Sequence, residues 1–277
     1  MAAKRLETLH QISLHGPAGV IPALLAVPGG DPGTNARRGL VVFFHGWNSC
    51  KEEVEQYVRW LGRAGFVALA PDMLYHGQRR APDFRDLFTP ESFAASMFRV
   101  VRTGVSELSS IIDLVEGGGL ARLPGIGGDS NQALEIDCAR LGVAGISMGG
   151  HTAFLAAVLD DRIRALAPLI GSPDWLTDTA PIAVLPLPES EVLAEMAACD
   201  PLSHYQRFFD RALLIQNGAD DNIVPPAGSQ KLYQCLEPIY SPKPQRLRLV
   251  VEPGVGHVVT GSMARNMVAW FEEFLHP

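Results

Sequence analysis

The chain holds 277 residues, 47% of them hydrophobic and 19% charged, which is enough to bury a sizeable core. Its 30 acidic and 23 basic residues give a formal net charge of −7. That balance, with no basic tract interleaved with aromatics, argues against nucleic acid or an anionic membrane as a partner.

The opening segment Met1-Ala2-Ala3-Lys4-Arg5-Leu6-Glu7-Thr8 lacks the apolar centre of a signal peptide, and no apolar run reaches the length of a membrane span. Strands are expected near 6–14 and 22–28, with Gly16-Pro17-Ala18-Gly19 as the turn of an antiparallel edge hairpin. Leu40-Val41-Val42-Phe43-Phe44 reads as a near-continuous apolar strand ending in His45-Gly46-Trp47-Asn48-Ser49. A helix over 51–64 and a strand over 66–70 follow, leading into Pro71-Asp72-Met73-Leu74-Tyr75-His76-Gly77-Gln78-Arg79. Tyr75, His76 and Arg79 are candidates for bordering a cleft, with structural roles as the alternative. A helix is expected over 91–116. The glycine-rich stretch from Gly117 to Asp129 lacks the lysine of a phosphate-binding loop and reads as a connection.

The most informative stretch comes next. Leu141-Gly142-Val143-Ala144 reads as a buried strand near 140–146, and Thr152 to Leu159 as part of a helix over 148–159. Between them lies Gly145-Ile146-Ser147-Met148-Gly149-Gly150. A serine on a sharp turn from strand to helix is a nucleophile elbow, and Gly145 and Gly149 suit a chain that doubles back that tightly. Ser147 needs a base within hydrogen-bond reach and a carboxylate to orient that base. His151, one helical turn on, reads as a packed or capped core histidine.

After a strand near 163–168 the segment from Ser172 to Phe209 carries five prolines and a short helical pattern at Glu189–Ala198. It reads as a small cap-like insert near 172–209 that overhangs the serine. Trp175, Leu176, Leu185 and Leu187 are candidates for touching the acyl or alcohol part of a substrate; packing of the insert onto the body is the alternative. A strand near 211–217 runs into Gly218-Ala219-Asp220-Asp221-Asn222, where either aspartate could orient the base; Asp221 is preferred over Asp220. A helix near 227–236 and a strand near 246–251 precede Gly254-Val255-Gly256-His257, which sits before a helix over 262–275. His257 is thus in a loop at the carboxyl end of a strand, where open α/β sheets handle ligands. The two oxyanion donors expected are the backbone N–H groups of Trp47 and Met148, each worth about 3 kcal/mol. His45 reads as structural, holding its loop through both ring nitrogens.

Taken in order, Phe43–Trp47, Ala64–Asp72, the Gly145–Gly150 elbow, the Asp221 turn and Gly256-His257 resemble the α/β-hydrolase pattern over nearly the whole chain. The wording Pro71–Arg79 resembles small bacterial esterases related to the dienelactone hydrolases and to the catalytic domains of prolyl oligopeptidases. The resemblance implies carboxylic-ester hydrolysis through an acyl-enzyme. Dienelactone hydrolases carry a cysteine nucleophile where this chain has Ser147, so their substrate is not implied. The chain also has no propeller's worth of extra sequence, so oligopeptidase gating is not implied either.

The expectation is therefore an α/β-hydrolase fold: a mostly parallel sheet of about eight strands with helices on both faces, in a single domain over 1–277. Ser147, His257 and Asp221 form the expected triad, acting on a small-molecule ester. A short to medium acyl chain is expected, because the insert is short and broken by prolines. A thioesterase or peptidase on the same triad, or a ligand-binding sensor on the same scaffold, are the alternatives. No cofactor is expected, and no metal, since the histidines show no ligand spacing. Cys50, Cys138, Cys199 and Cys235 lack paired spacing and read as reduced thiols, which points to the cytoplasm. The oligomeric state is left open.

Overall fold

Apolar residues that run without alternation make strands buried on both faces, and β3 (Arg38–Phe44) shows why. Leu40, Val42 and Phe44 enter one core, while Val41 and Phe43 enter a second core on the opposite side of the sheet. The computed structural model describes residues 7–29, 37–123, 126, 134–176, 186 and 188–276. Besides β3, the strands are β1 (Glu7–Gly16), β2 (Gly19–Pro28), β4 (Val67–Pro71), β5 (Ile136–Ile146), β6 (Ala165–Leu169), β7 (Ala212–Gly218) and β8 (Leu247–Glu252). They form one sheet in the order β1-β2-β4-β3-β5-β6-β7-β8. β1 and β2 make the expected hairpin at one edge, closing at the Gly16–Gly19 pair. β2 runs against both of its neighbours, and every pairing from β4 to β8 is parallel. This is the α/β-hydrolase fold.

The helices are α1 (Glu55–Arg63), α2 (Phe84–Leu87), α3 (Phe93–Glu116), α4 (Met148–Leu159), α5 (Ser190–Ala197), α6 (Ala227–Leu236) and α7 (Gly261–Leu275). Leu61 of α1 and Met267 and Phe271 of α7 pack in the core that holds Val41 and Phe43. Leu108 and Ile112 of α3, Phe154 of α4 and Leu232 of α6 pack in the core that holds Val42 and Phe44. The sheet is therefore covered on both faces, and its parallel strands all end at one edge. Helix α4 is apolar all round, as a helix must be when it is wrapped by neighbours. Among the described residues no helix is long and apolar enough to cross a membrane.

Candidate active site

Three loops at the carboxyl edge of the sheet meet around Ser147. The first is the turn from β5 into α4. Ser147 takes φ +54° and ψ −110°, a conformation that is strained for any residue with a side chain. The turn is possible because its glycines let backbones touch. A side-chain carbon on Gly145 would lie 2.4 Å from the Gly149 carbonyl oxygen, and one on Gly149 would lie 2.2 Å from the Phe44 oxygen. The Ser147 N–H donates to the Leu169 carbonyl at 2.9 Å, tying the turn to β6.

The second and third loops follow β7 and β8 and are fastened to each other. Ala219 N–H donates to the Glu252 carbonyl and Asp220 N–H to the Val255 carbonyl, both at 2.9 Å. Their side chains then diverge. Asp220 is exposed, whereas Asp221 is buried and faces His257. Asp221 Oδ1 accepts the N–H groups of Ile223 (2.9 Å) and Val224 (2.8 Å). Its Oδ2 lies 2.7 Å from His257 Nδ1, and His257 Nε2 lies 2.9 Å from Ser147 Oγ. A buried, paired carboxylate accepts, so Nδ1 carries the proton and donates it to Asp221. Nε2 is then the acceptor for the Ser147 hydroxyl. Thr260, whose side chain caps α7 by accepting the Met263 N–H at 3.2 Å, also donates to Glu252 at the end of β8. Both ends of the His257 loop are thereby held. Such a chain of groups can remove a proton from a serine hydroxyl and stabilise the imidazolium that results.

The loop after β3 supplies the remaining wall. Gly46 lies against the elbow: a side-chain carbon there would be 3.9 Å from Ser147 Cβ. The Trp47 backbone is therefore beside the serine. Met148 is the first residue of α4, where a backbone N–H has no acceptor within its own helix. A buried polar scaffold holds the loop behind these groups. His45 Nε2 accepts the Met73 N–H at 3.0 Å, so Nδ1 carries the proton and donates to the Gly46 carbonyl at 2.7 Å. Burial holds His45 below the ordinary histidine range. The Asp72 carboxylate, wholly buried, accepts from the Lys51 N–H (2.9 Å), the Lys51 ammonium (2.9 Å) and the Gln78 N–H (3.0 Å). Burial opposes the charge on Lys51, but its bonds to Glu52 and Asp72 outweigh that and raise it above the usual lysine value.

Ser147 opens into a cavity of about 810 Å³. Trp175 lines it, as the sequence suggests, and so do Trp47 and His151. His151 Nδ1 donates to the Ser147 carbonyl at 2.8 Å, and burial pushes its pKa down to about 4. Four expected positions need correction or fall outside the described residues. His76 does not reach the cavity; it is wholly buried with its ring 5.3 Å from that of Phe84 and 5.5 Å from that of His45. Gly77 at φ +54° folds the chain back over Asp72 and turns His76 inward. Its Nδ1 donates to the Leu74 carbonyl, and burial pushes its pKa to about 4. Leu176 points to solvent, because the chain turns at Asp174 and sends Trp175 inward instead. Leu185 and Leu187 lie outside the described residues. Arg79 is engaged by Glu107 through two bonds, at 2.7 and 2.8 Å. Tyr75 packs against the core.

Sequence reasoning missed the α3 wall: Phe93, Met97 and Val101 line the cavity at a spacing of four residues. That stripe is visible in the sequence, but it reads as ordinary core. Met196 of α5, Tyr57, Glu53 and Ile170 were missed as well.

Residues 130–276 match the model of the prolyl oligopeptidase family. The chain is 28% identical over 248 residues to the Bacillus subtilis protein named "Putative esterase YitV", covering 85% of this chain and 89% of that one. It is 26% identical over 268 residues to Escherichia coli esterase YjfP, covering 92% and 96%. The crystal structure of TT1662 from Thermus thermophilus superposes with a TM-score of 0.69 at 25% identity, covering 98% of this chain and 99% of that one.

Proposed function

The chain belongs to the prolyl oligopeptidase family, and from that premise we propose that it is a serine hydrolase that cleaves carboxylic esters of short to medium acyl length through an acyl-enzyme. The observation that carries this reading is the continuous path from Ser147 Oγ through His257 to Asp221, with steps of 2.9 and 2.7 Å. In the reaction Ser147 Oγ attacks the ester carbonyl while His257 Nε2 takes its proton. Asp221 holds the proton on Nδ1 and stabilises the imidazolium. The Trp47 and Met148 N–H groups stabilise the oxyanion of the tetrahedral intermediate. His257 then gives its proton to the departing alkoxide, and the alcohol leaves. Water, deprotonated in turn by His257, attacks the acyl group and releases the acid.

The names of the esterase relatives support an ester as the scissile group. The whole of 1–277 is read as one hydrolase domain, with the 172–209 segment as a cap; Trp175 and Met196, both on the cavity wall, support that role. The four cysteines are free thiols, in keeping with a cytoplasmic enzyme acting on small molecules. The test is Ser147→Ala assayed on p-nitrophenyl butyrate. Turnover should fall by at least about four orders of magnitude with the circular dichroism spectrum unchanged. An alanine variant as active as the parent would place the nucleophile elsewhere.

A further inference from the structure

The cavity at Ser147 is lined by residues of both cores, an α3 arm on one side and an α1 arm on the other. Phe98, Val101, Trp175 and Met196 belong to the core on the α3 side. Val54, Tyr57 and Ile170 belong to the core on the α1 side. Ser147 stands at the sheet edge between them. The α3 arm is apolar. The α1 arm includes a carboxylate, Glu53, the only acidic side chain among the described residues that line the cavity.

Glu53 is solvent-exposed where it lines the cavity, and no cation pairs with it among the described residues. Ser49 Oγ donates to Glu53 Oε2 at 2.7 Å. Lys51 and Arg59, the cations nearest to Glu53 in sequence, are engaged elsewhere, Arg59 by Glu55 and Glu7. Lys51 is 1% exposed and bound to Asp72 and Glu52. Arg80 bonds to Asn48 and lies over the Phe84 ring. His151 on the wall does not supply a fixed charge either, since burial pushes its pKa down to about 4. An aromatic ring lines the same arm. Tyr57 lines the arm, stacked 4.9 Å from Phe43 and edge-on to Trp60. A carboxylate next to an aromatic face is the combination that recognises an organic cation. The net charge of −7 attracts such a ligand from a distance.

Resting on the ester-hydrolase reading, we infer that the preferred substrates are esters that carry a positively charged ammonium group, which Glu53 and Tyr57 bind in the α1 arm while an apolar group occupies the α3 arm. Glu53 is a specificity-determining residue and takes no part in the bond changes.

Two matched pairs of esters test this. Butyrylcholine is set against 3,3-dimethylbutyl butyrate, which places the charge on the alcohol side. The p-nitrophenyl ester of 4-(trimethylammonio)butanoate is set against that of 5,5-dimethylhexanoate, which places it on the acyl side. Within each pair the two members differ by one nitrogen-for-carbon exchange and its charge. The readout is the ratio of kcat/KM within a pair. A ratio of about five to ten in favour of the cation is expected in at least one pair, shrinking with added salt. Glu53→Gln should bring that ratio close to one, and Glu53→Lys should invert it. Ratios near one in both pairs for the parent enzyme, or a preference that survives Glu53→Gln, would overturn the inference while leaving ester hydrolysis standing. Absence of turnover on every member would overturn both.

Discussion

Two histidine–aspartate neighbourhoods lie close to the nucleophile, and they do opposite things. His257 keeps 19% of its side chain exposed, and its two ring nitrogens meet a carboxylate and a hydroxyl. His45 is wholly buried, and its ring nitrogens meet a backbone carbonyl and a backbone N–H. Asp221 is partnered by an imidazole that can take up a proton; Asp72 is partnered by a lysine that keeps its own. The same two residue types therefore make a proton relay in one place and a rivet in the other. What decides is whether the partners can exchange a proton and whether a substrate can reach the ring. The loop that carries Trp47 is positioned by the rivet, and the His257 ring is positioned by Asp221.

The comparison can be broken hardest at Asp221. Asp221→Asn should cost about four orders of magnitude in kcat, because an amide can no longer fix the proton on Nδ1. Asp220→Asn, on an exposed side chain whose backbone alone is engaged, should stay within about twofold. Essential Asp220 with dispensable Asp221 would reverse the assignment. The rivet should fail differently. Asp72→Asn leaves the buried Lys51 ammonium with Glu52 as its only carboxylate and removes the charge that accepts three bonds, so a loss of about 3 kcal/mol in folding stability is expected by urea titration. An Asp72→Asn variant as stable as the parent but catalytically dead would mean that Asp72 belongs to the chemistry.

A smaller effect separates the histidines by pH. Burial keeps His76 and His151 neutral down to about 4 and holds His45 low as well. His76 and His151 therefore add no proton to a kinetic limb in the mildly acidic range. The kcat/KM profile should show a one-proton acid limb, falling about tenfold per pH unit. Stability should follow a separate course. The folded values of His76 and His151 lie below the unfolded value of 6.5, so the unfolded chain binds more protons between 6.5 and about 4. The contribution of these two residues is therefore complete above 6.5, is lost as pH falls through that window, and changes no further below about 4. Thermal melts across the series check this, and a two-proton kinetic limb would bring a second histidine into the mechanism.

The sequence carried more of this molecule than side-chain directions alone would suggest. Strand runs such as Leu40–Phe44 are apolar without interruption, and that alone requires cover on both faces. The elbow was legible because Gly145 and Gly149 sit where only glycine fits. Directions after a turn were not legible. His76 and Leu176 follow strand ends much as His257 does, yet Gly77 turns one inward and Asp174 sends the other outward. Phe93, Met97 and Val101 escaped notice because a helix stripe that lines a cavity has the composition of one that fills a core. Glu53 was hidden for the opposite reason: a charged residue beside a helix start reads as a solvated surface.

The sheet order places His257 in the loop that follows an edge strand. β5 and β7, which lead to Ser147 and Asp221, have hydrogen-bonded strands on both sides, whereas β8 pairs with β7 alone. An edge strand can detach without dismantling the rest of the sheet, and its free energy of opening lies below that of global unfolding. Mild heating or denaturant should therefore displace His257 before it displaces Ser147. Ester turnover is then expected to be lost at a lower temperature than the circular dichroism signal.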